Sequence, residues 1–255
     1  MIAFPADSIA GDSEMATNPL DLLQASAPIS RRSLVVSITS FAGLILGSAV
    51  CARAMAACLI TPPQTAGPYY PPHTQLDAML DKDNDLTHVR GKIGKAKGQT
   101  LYVMGQVRDD ACRPISGATI EIWQASENGR YHHPRDEGNP APLDPHFQYW
   151  GKYVTERDGR YLFKTIKPGA YQAEPGWIRP PHIHFRVSHP TSGVLITQMY
   201  FAGDPYQGND FILNKVPESE RGRVIVVMEH PRSDYDRDAP LCRFDLTLPG
   251  LAAPR

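Results

Sequence analysis

The stretch Asp158-Gly159-Arg160-Tyr161-Leu162-Phe163-Lys164-Thr165-Ile166-Lys167-Pro168-Gly169 holds a turn, a short run of strand-favouring residues and a second turn. Asp-Gly supplies the backbone freedom a tight turn needs. Tyr161, Phe163, Thr165 and Ile166 are aromatic or β-branched, side chains that pack well on a pleated surface. Pro168-Gly169 then stops the run. The same kind of unit recurs at Leu101–Val107, Ala118–Trp123, Ile183–Val187, Val194–Phe201, Val224–Met228 and Phe244–Leu248. In Ala118–Trp123, Ile120 and Ile122 fall on one face, and Thr119, Glu121 and Trp123 on the other. Roughly eight short strands between turns predict an all-β fold, an antiparallel β-sandwich. The one helix expected is short and lies near Glu218–Arg223.

Composition agrees. Proline accounts for 24 of 255 residues, well above the ordinary ~5%. Long helices would not tolerate prolines spread along the chain, because each removes an N–H and clashes with the preceding turn. With 42% hydrophobic and 21% charged residues, the chain can bury a core, which excludes wholesale disorder. A net charge of −1, from 26 Lys+Arg against 27 Asp+Glu, argues against a nucleic-acid binder, which would carry a basic excess.

Leu34 to Val50 (LVVSITSFAGLILGSAV) is an uncharged run preceded by Arg31-Arg32 and followed by the small-residue site Ala52-Arg53-Ala54. This order reads as an export signal, and the run sits at the short limit for a membrane span. Ser30-Arg31-Arg32-Ser33-Leu34-Val35 resembles a twin-arginine signal, which carries folded proteins. Residues 1–57 are therefore expected to be a twin-arginine-like export signal that is removed, leaving an exported chain, periplasmic or extracellular. Residues 58–100, rich in proline and then polar, form an N-terminal arm, and residues 101–250 form the sandwich domain. Met55-Ala56-Ala57-Cys58 is also a weak lipoprotein-type site, which would tether the chain to a membrane through Cys58. An oxidising compartment permits disulfides. The spacing of Cys112 and Cys242 does not decide whether they pair.

His182-Ile183-His184 is the first chemical signal. On a strand, residues i and i+2 share a face, so both imidazoles can reach one metal ion. Taken alone, the pair equally describes surface or hydrogen-bonded histidines. His132, His133 and His146 lie in the long loop 124–150 and form a reservoir for a different site. A loop of that length in a compact domain is usually functional.

Three pieces in fixed order change the reading. They are Trp123-Gln124-Ala125 followed by Gly129-Arg130-Tyr131, then Thr165-Ile166-Lys167-Pro168-Gly169-Ala170-Tyr171, then Arg179-Pro180-Pro181-His182-Ile183-His184-Phe185. Together with Leu195–Asp204 they resemble the intradiol aromatic-ring dioxygenases, and among these the iron-binding subunits of the protocatechuate-cleaving branch. The likeness spans nearly the whole chain after the leader.

The resemblance implies a prealbumin-like sandwich whose domain 101–250 is catalytic, with long active-site loops. It implies a non-haem Fe(III) held by Tyr131, Tyr171, His182 and His184, with a solvent hydroxide. Phenolates are hard anionic donors and suit Fe(III). It further implies that Tyr171 is displaced by substrate and takes a proton, and that Arg179 and Gln198 stand beside the reacting ring. The implied partners are a catechol-type small molecule and O2, with a cis,cis-muconate as product. A homo-oligomer or a non-catalytic partner subunit is left open. One departure lies in the pocket: Ala173 stands where the branch has tryptophan, which reshapes a wall. Thr65-Ala66-Gly67-Pro68-Tyr69-Tyr70 resembles the branch's arm segment at the pocket mouth. Two other readings stay open here. One is a non-catalytic prealbumin-like binding module; the other is a sandwich that binds copper, zinc or Fe(II) through the two histidines.

Overall fold

A computed structural model describes residues 1–2, 58–230, 235–236 and 238–249. Apart from Met1 and Ile2, the expected leader lies outside the described residues. Among the described residues no helix is long and apolar enough to cross a membrane.

The chain folds as two packed sheets. One contains β1 (Thr100–Arg108), β4 (Arg160–Ile166), β10 (Met228–Glu229), β11 (Leu241–Arg243) and β12 (Leu246–Thr247), with β1 paired to β4, β11 and β12. The other runs in the order β3 (Trp150–Val154), β2 (Thr119–Trp123), β7 (His182–His189), β8 (Gly193–Phe201), β9 (Ile225–Val226). The long ladders, β1–β4, β2–β3, β2–β7 and β7–β8, are antiparallel; β11 and β12 join β1 in parallel, as β9 joins β8. A separate hairpin, β5 (Tyr171–Glu174) and β6 (Trp177–Arg179), stands at the site. Leu101, Val103 and Phe163 from one sheet meet Ile120, Ile122, Ile183, Phe185 and Met199 from the other in a single buried core. The sandwich reading holds, and strand alternation is its cause: burial of one face per sheet fixes the register.

At Gly105 in β1 a Cβ would lie 2.1 Å from the carbonyl oxygen of Phe244. Only glycine permits that close backbone approach.

Several expectations are corrected in detail. Val224–Met228 is not one strand: β9 extends one sheet and β10 the other, with the exposed Val227 between them. A continuous apolar run cannot show such a switch, because it carries no alternation. The loop read over 124–150 ends in β3, whose Trp150 pairs with Trp123. A second short helix, α1 (His73–Ala78), joins the expected one, α2 (Glu218–Arg221).

The cysteines also differ from expectation. Cys112 bonds to Cys58, while Cys242 is free and buried. The open question of a Cys112–Cys242 bridge is thus answered against it. The thiol that a lipid tether at Cys58 would require is occupied by the disulfide. Cys58 also donates its amide to the Asp110 carbonyl at 2.9 Å, so the start of the arm is fastened to the loop between β1 and β2. From there the arm follows the sandwich: the amide of Thr61 donates to Thr247, and that of Gln64 to Ile196.

Candidate active site

Two glycines bring the two sequence motifs together. A Cβ at Gly129 would lie 2.6 Å from the carbonyl oxygen of Ala170, and one at Gly169 would lie 2.2 Å from that of Glu127. Gly169 also donates its amide to the Ser126 carbonyl at 2.9 Å. The loop before Tyr131 and the loop before Tyr171 therefore clasp backbone to backbone, and their tyrosine rings stand edge to face with centroids 5.5 Å apart.

β7 brings in the histidines. Ile183 and Phe185 enter the core, so His182 and His184 face the other side of the sheet. Both are almost fully buried. Their ring centroids are 4.9 Å apart. His182 is 5.8 Å from Tyr171, and its Nε2 lies 3.3 Å from the Tyr131 hydroxyl. His184 stacks on Trp123, its neighbour across the ladder, at 4.8 Å and 8°. The four residues singled out by resemblance thus gather in one place.

His182 Nδ1 lies 2.6 Å from the Pro180 carbonyl oxygen. A carbonyl can only accept, so Nδ1 carries the proton and Nε2 keeps its lone pair, facing Tyr131. His184 Nδ1 is buried with no hydrogen-bond partner. Burial, then the charges of Arg179 and His184, hold His182 well below the ordinary imidazole range; burial and Arg179 do the same to His184. Both rings are therefore neutral. Burial raises the Tyr131 phenol well above its usual value, Tyr171 adds to the rise and Arg179 opposes it. Tyr171 is pushed up to about 12 by burial, again against Arg179.

Two buried phenols and two neutral imidazoles suit a hard, highly charged cation. The phenols need such a charge to ionise, and Fe(III) supplies it. The donor set and the unpartnered His184 nitrogen therefore fit a non-haem Fe(III).

Behind the rings lies a polar network. Arg179 pairs with Tyr171 across the β5–β6 hairpin. Its Nε donates to Asp210 Oδ1 at 2.9 Å, and its Nη2 to Gln198 Oε1 at 2.8 Å and to the Tyr200 hydroxyl at 3.2 Å. Gln198 is engaged at both ends, since its Nε2 donates to the Thr65 carbonyl at 2.8 Å. The arm takes part through Gln64, whose Oε1 accepts from the Tyr200 hydroxyl and whose Nε2 donates to Thr197 and to the Gln198 carbonyl. Gly67 comes to van der Waals distance of His184, and Tyr69 stacks on Tyr131 at 4.4 Å and 22°. Asp210, Tyr200 and Gln64 escaped the sequence reading.

The other histidines do not join the rings. The ring of His132 lies against Tyr149 at 5.5 Å, and His133 Nδ1 accepts the Arg135 amide at 3.0 Å. His146 abuts Gly94. Among the described residues no three His, Cys, Asp or Glu side chains gather as a metal site, which removes the support for a different metal bound with extra histidines or carboxylates.

Comparison with known proteins agrees with the fold and site. The model of the Dioxygenase_C family, described as dioxygenase, matches residues 65–250, and the chain belongs to that family. Its relatives are intradiol ring-cleavage dioxygenases. The protocatechuate 3,4-dioxygenase beta chain of Burkholderia cepacia is 44% identical over 146 residues, which is 56% of this chain and 62% of that protein. Catechol 1,2-dioxygenase of Candida albicans is 34% identical over 126 residues, 44% of this chain and 39% of that protein. The chain thus spans less than two thirds of the length of these relatives. Among solved structures, the dioxygenase domain of a dioxygenase–carbohydrate-binding fusion from Streptomyces sp. SirexAA-E superposes with a TM-score of 0.54 at 26% identity, covering 75% of this chain and 99% of that one. An intradiol ring-cleavage dioxygenase from Tetranychus urticae shares the fold, with a TM-score of 0.55 at 22% identity over 78% and 98% of the two chains.

Proposed function

We propose that the protein is a non-haem Fe(III) intradiol dioxygenase that inserts both atoms of O2 into a catechol-type ring, giving a cis,cis-muconate. The observation that carries this reading is the convergence of Tyr131, Tyr171, His182 and His184, with Arg179 behind them. Those four residues would hold the metal, which when bound supplies Lewis acidity toward the two adjacent hydroxyls of the substrate.

The two tyrosines differ in freedom. Tyr131 is 3% exposed and lies under Tyr69, so it stays in place. Tyr171 is half-buried on a short hairpin and borders a cavity that Ala173 also lines. Its phenol can move aside as substrate enters and take up a substrate proton at Oη. Arg179, charged and held from behind by Asp210, stabilises negative charge on the bound ring. With both ends of its amide engaged, Gln198 orients that guanidinium. Trp123 and the arm at Gly67 keep water from His184.

The test is the visible spectrum of iron-loaded protein with and without catechol, together with oxygen uptake. A tyrosinate charge-transfer band that shifts with catechol is expected. Colourless iron-loaded protein that consumes no oxygen would overturn the reading.

The proposal extends to location. An exported chain is supported by the leader composition and by the Cys58–Cys112 disulfide, a bond that persists in oxidising compartments. Mass spectrometry should find a chain that starts between Ala52 and Cys58; soluble cytoplasmic protein with residues 31–57 intact would reject this.

A further inference from the structure

A second cavity, of about 560 Å³, has none of the four rings in its wall. Its volume is in the range of small-molecule sites. It reaches the site described above only through His132, the residue after Tyr131. α1 closes one side, and Met79, Val89, Leu143, Phe147 and Tyr149 make most of its surface apolar.

Its polar groups are few and unevenly satisfied. Gln148 is 5% exposed. Its Nε2 donates to the Trp150 carbonyl at 2.8 Å and to the Asp83 carbonyl at 3.3 Å, which fixes the amide's orientation. Its Oε1, buried at the cavity wall, has no donor. Native structures seldom leave such an acceptor without a partner.

Charge is unbalanced too. The two carboxylates of the wall are already engaged: Asp81 pairs with Arg90 at 3.1 Å, and Asp144 accepts the amides of Lys97 and His146. Lys92 donates to the Pro145 carbonyl at 2.8 Å, and among the described residues no carboxylate lies within ion-pair distance of it. The cavity therefore offers a flat apolar space, one acceptor in want of a donor, and one cation without a counter-ion.

We propose that this cavity is a second binding site, separate from the four-ring centre, for a hydroxylated aromatic carboxylate. The ring lies against Met79, Leu143 and Tyr149, the hydroxyl donates to Gln148 Oε1, and the carboxylate faces Lys92. A water molecule could satisfy Gln148 but would leave the apolar wall and the lysine unused. The inference does not rest on the proposed reaction, because it concerns binding alone.

The test is calorimetric titration of the full-length protein with 4-hydroxybenzoate, and with benzoate as the ligand that lacks the donor. Saturable binding of 4-hydroxybenzoate is expected, about tenfold weaker for benzoate and for Gln148→Leu. Ala78→Trp, an exposed position on the cavity rim, should abolish it by filling the space. Absence of saturable binding would overturn the proposal. So would benzoate binding as tightly as 4-hydroxybenzoate, or affinity that both Gln148→Leu and Ala78→Trp leave unchanged, which would place the ligand elsewhere. Should Gln148→Leu not fold, the two ligands on the wild type and Ala78→Trp decide the matter.

Discussion

Arg179 and Asp210 form a buried ion pair, Nε to Oδ1 2.9 Å, with side chains 5% and 0% exposed. The same carboxylate accepts the Trp177 indole N–H and the Leu213 amide, each at 3.2 Å. One residue thus ties the β5–β6 hairpin to the segment that follows β8. Removing one partner of a buried pair leaves the other charge uncompensated, at a cost of about 3–5 kcal/mol. Asp210→Ala should lose that much in denaturant unfolding, and Asp210→Asn less, because its amide oxygen still accepts. An Asp210→Ala protein within about 1 kcal/mol of wild type would show that the pair is not what holds Arg179.

Tyr69 covers Tyr131 and also meets Tyr171 edge-on at 6.1 Å. Aromatic pairs of this kind contribute about 0.5–1.5 kcal/mol beyond the area they bury. Tyr69→Leu should lower stability by that order, and Tyr69→Phe should restore it, since stacking needs the ring and not the hydroxyl. The check is chemical denaturation of both variants. Equal losses in the two would assign the effect to the hydroxyl, which neighbours Asp136.

The cysteines give a chemical prediction. Cys242 is fully buried, and burial pushes its thiol up to about 12. Native protein should therefore show no reactive thiol from the described cysteines, and unfolding without reductant should expose one. The Cys58–Cys112 bond closes a sequence separation of 54 residues, a loop for which chain entropy predicts about 4 kcal/mol. Cys112→Ser should lower stability by about 2–4 kcal/mol. A peptide map that joins Cys112 to Cys242 would contradict the pairing.

What the sequence made legible follows from what is periodic or local. The strand–turn units announced the sandwich, and two histidines separated by Ile183 announced a shared face because a strand alternates. The motif glycines announced close backbone contacts. Asp210 was hidden because it pairs with Arg179 across 31 positions, from a loop with no spacing signal. β5 and β6 were hidden because strands of 4 and 3 residues are too short to show alternation. Cys58 was read as a boundary of the leader, and that reading masked it as a disulfide partner. Gln64 sits in an arm whose prolines indicate extended chain but not what it touches.

The last prediction concerns substrate choice and rests on the proposed reaction. A centre that reads only two adjacent hydroxyls cannot separate catechol from its substituted relatives, so selection falls to the walls. Ala173 lies at the irregularity between Gln172 and Glu174 in the β5–β6 pairing, half-buried, and it lines a cavity of about 600 Å³ together with Tyr171. An alanine there leaves the volume of an indole open. Each methylene-sized step in a pocket shifts selectivity by ~1–3 kcal/mol, and an indole is several such steps. Wild type should cleave more than one catechol, with protocatechuate accepted without being singled out. Ala173→Trp should narrow the range toward small or carboxylated rings, read as ratios of kcat/KM across a catechol panel. If wild type turns over protocatechuate alone and Ala173→Trp leaves those ratios unchanged, the selecting wall is not β5. Tyr69 and Tyr70, the first stacked on Tyr131 and the second donating to Glu121 at 2.8 Å, then become the residues to vary.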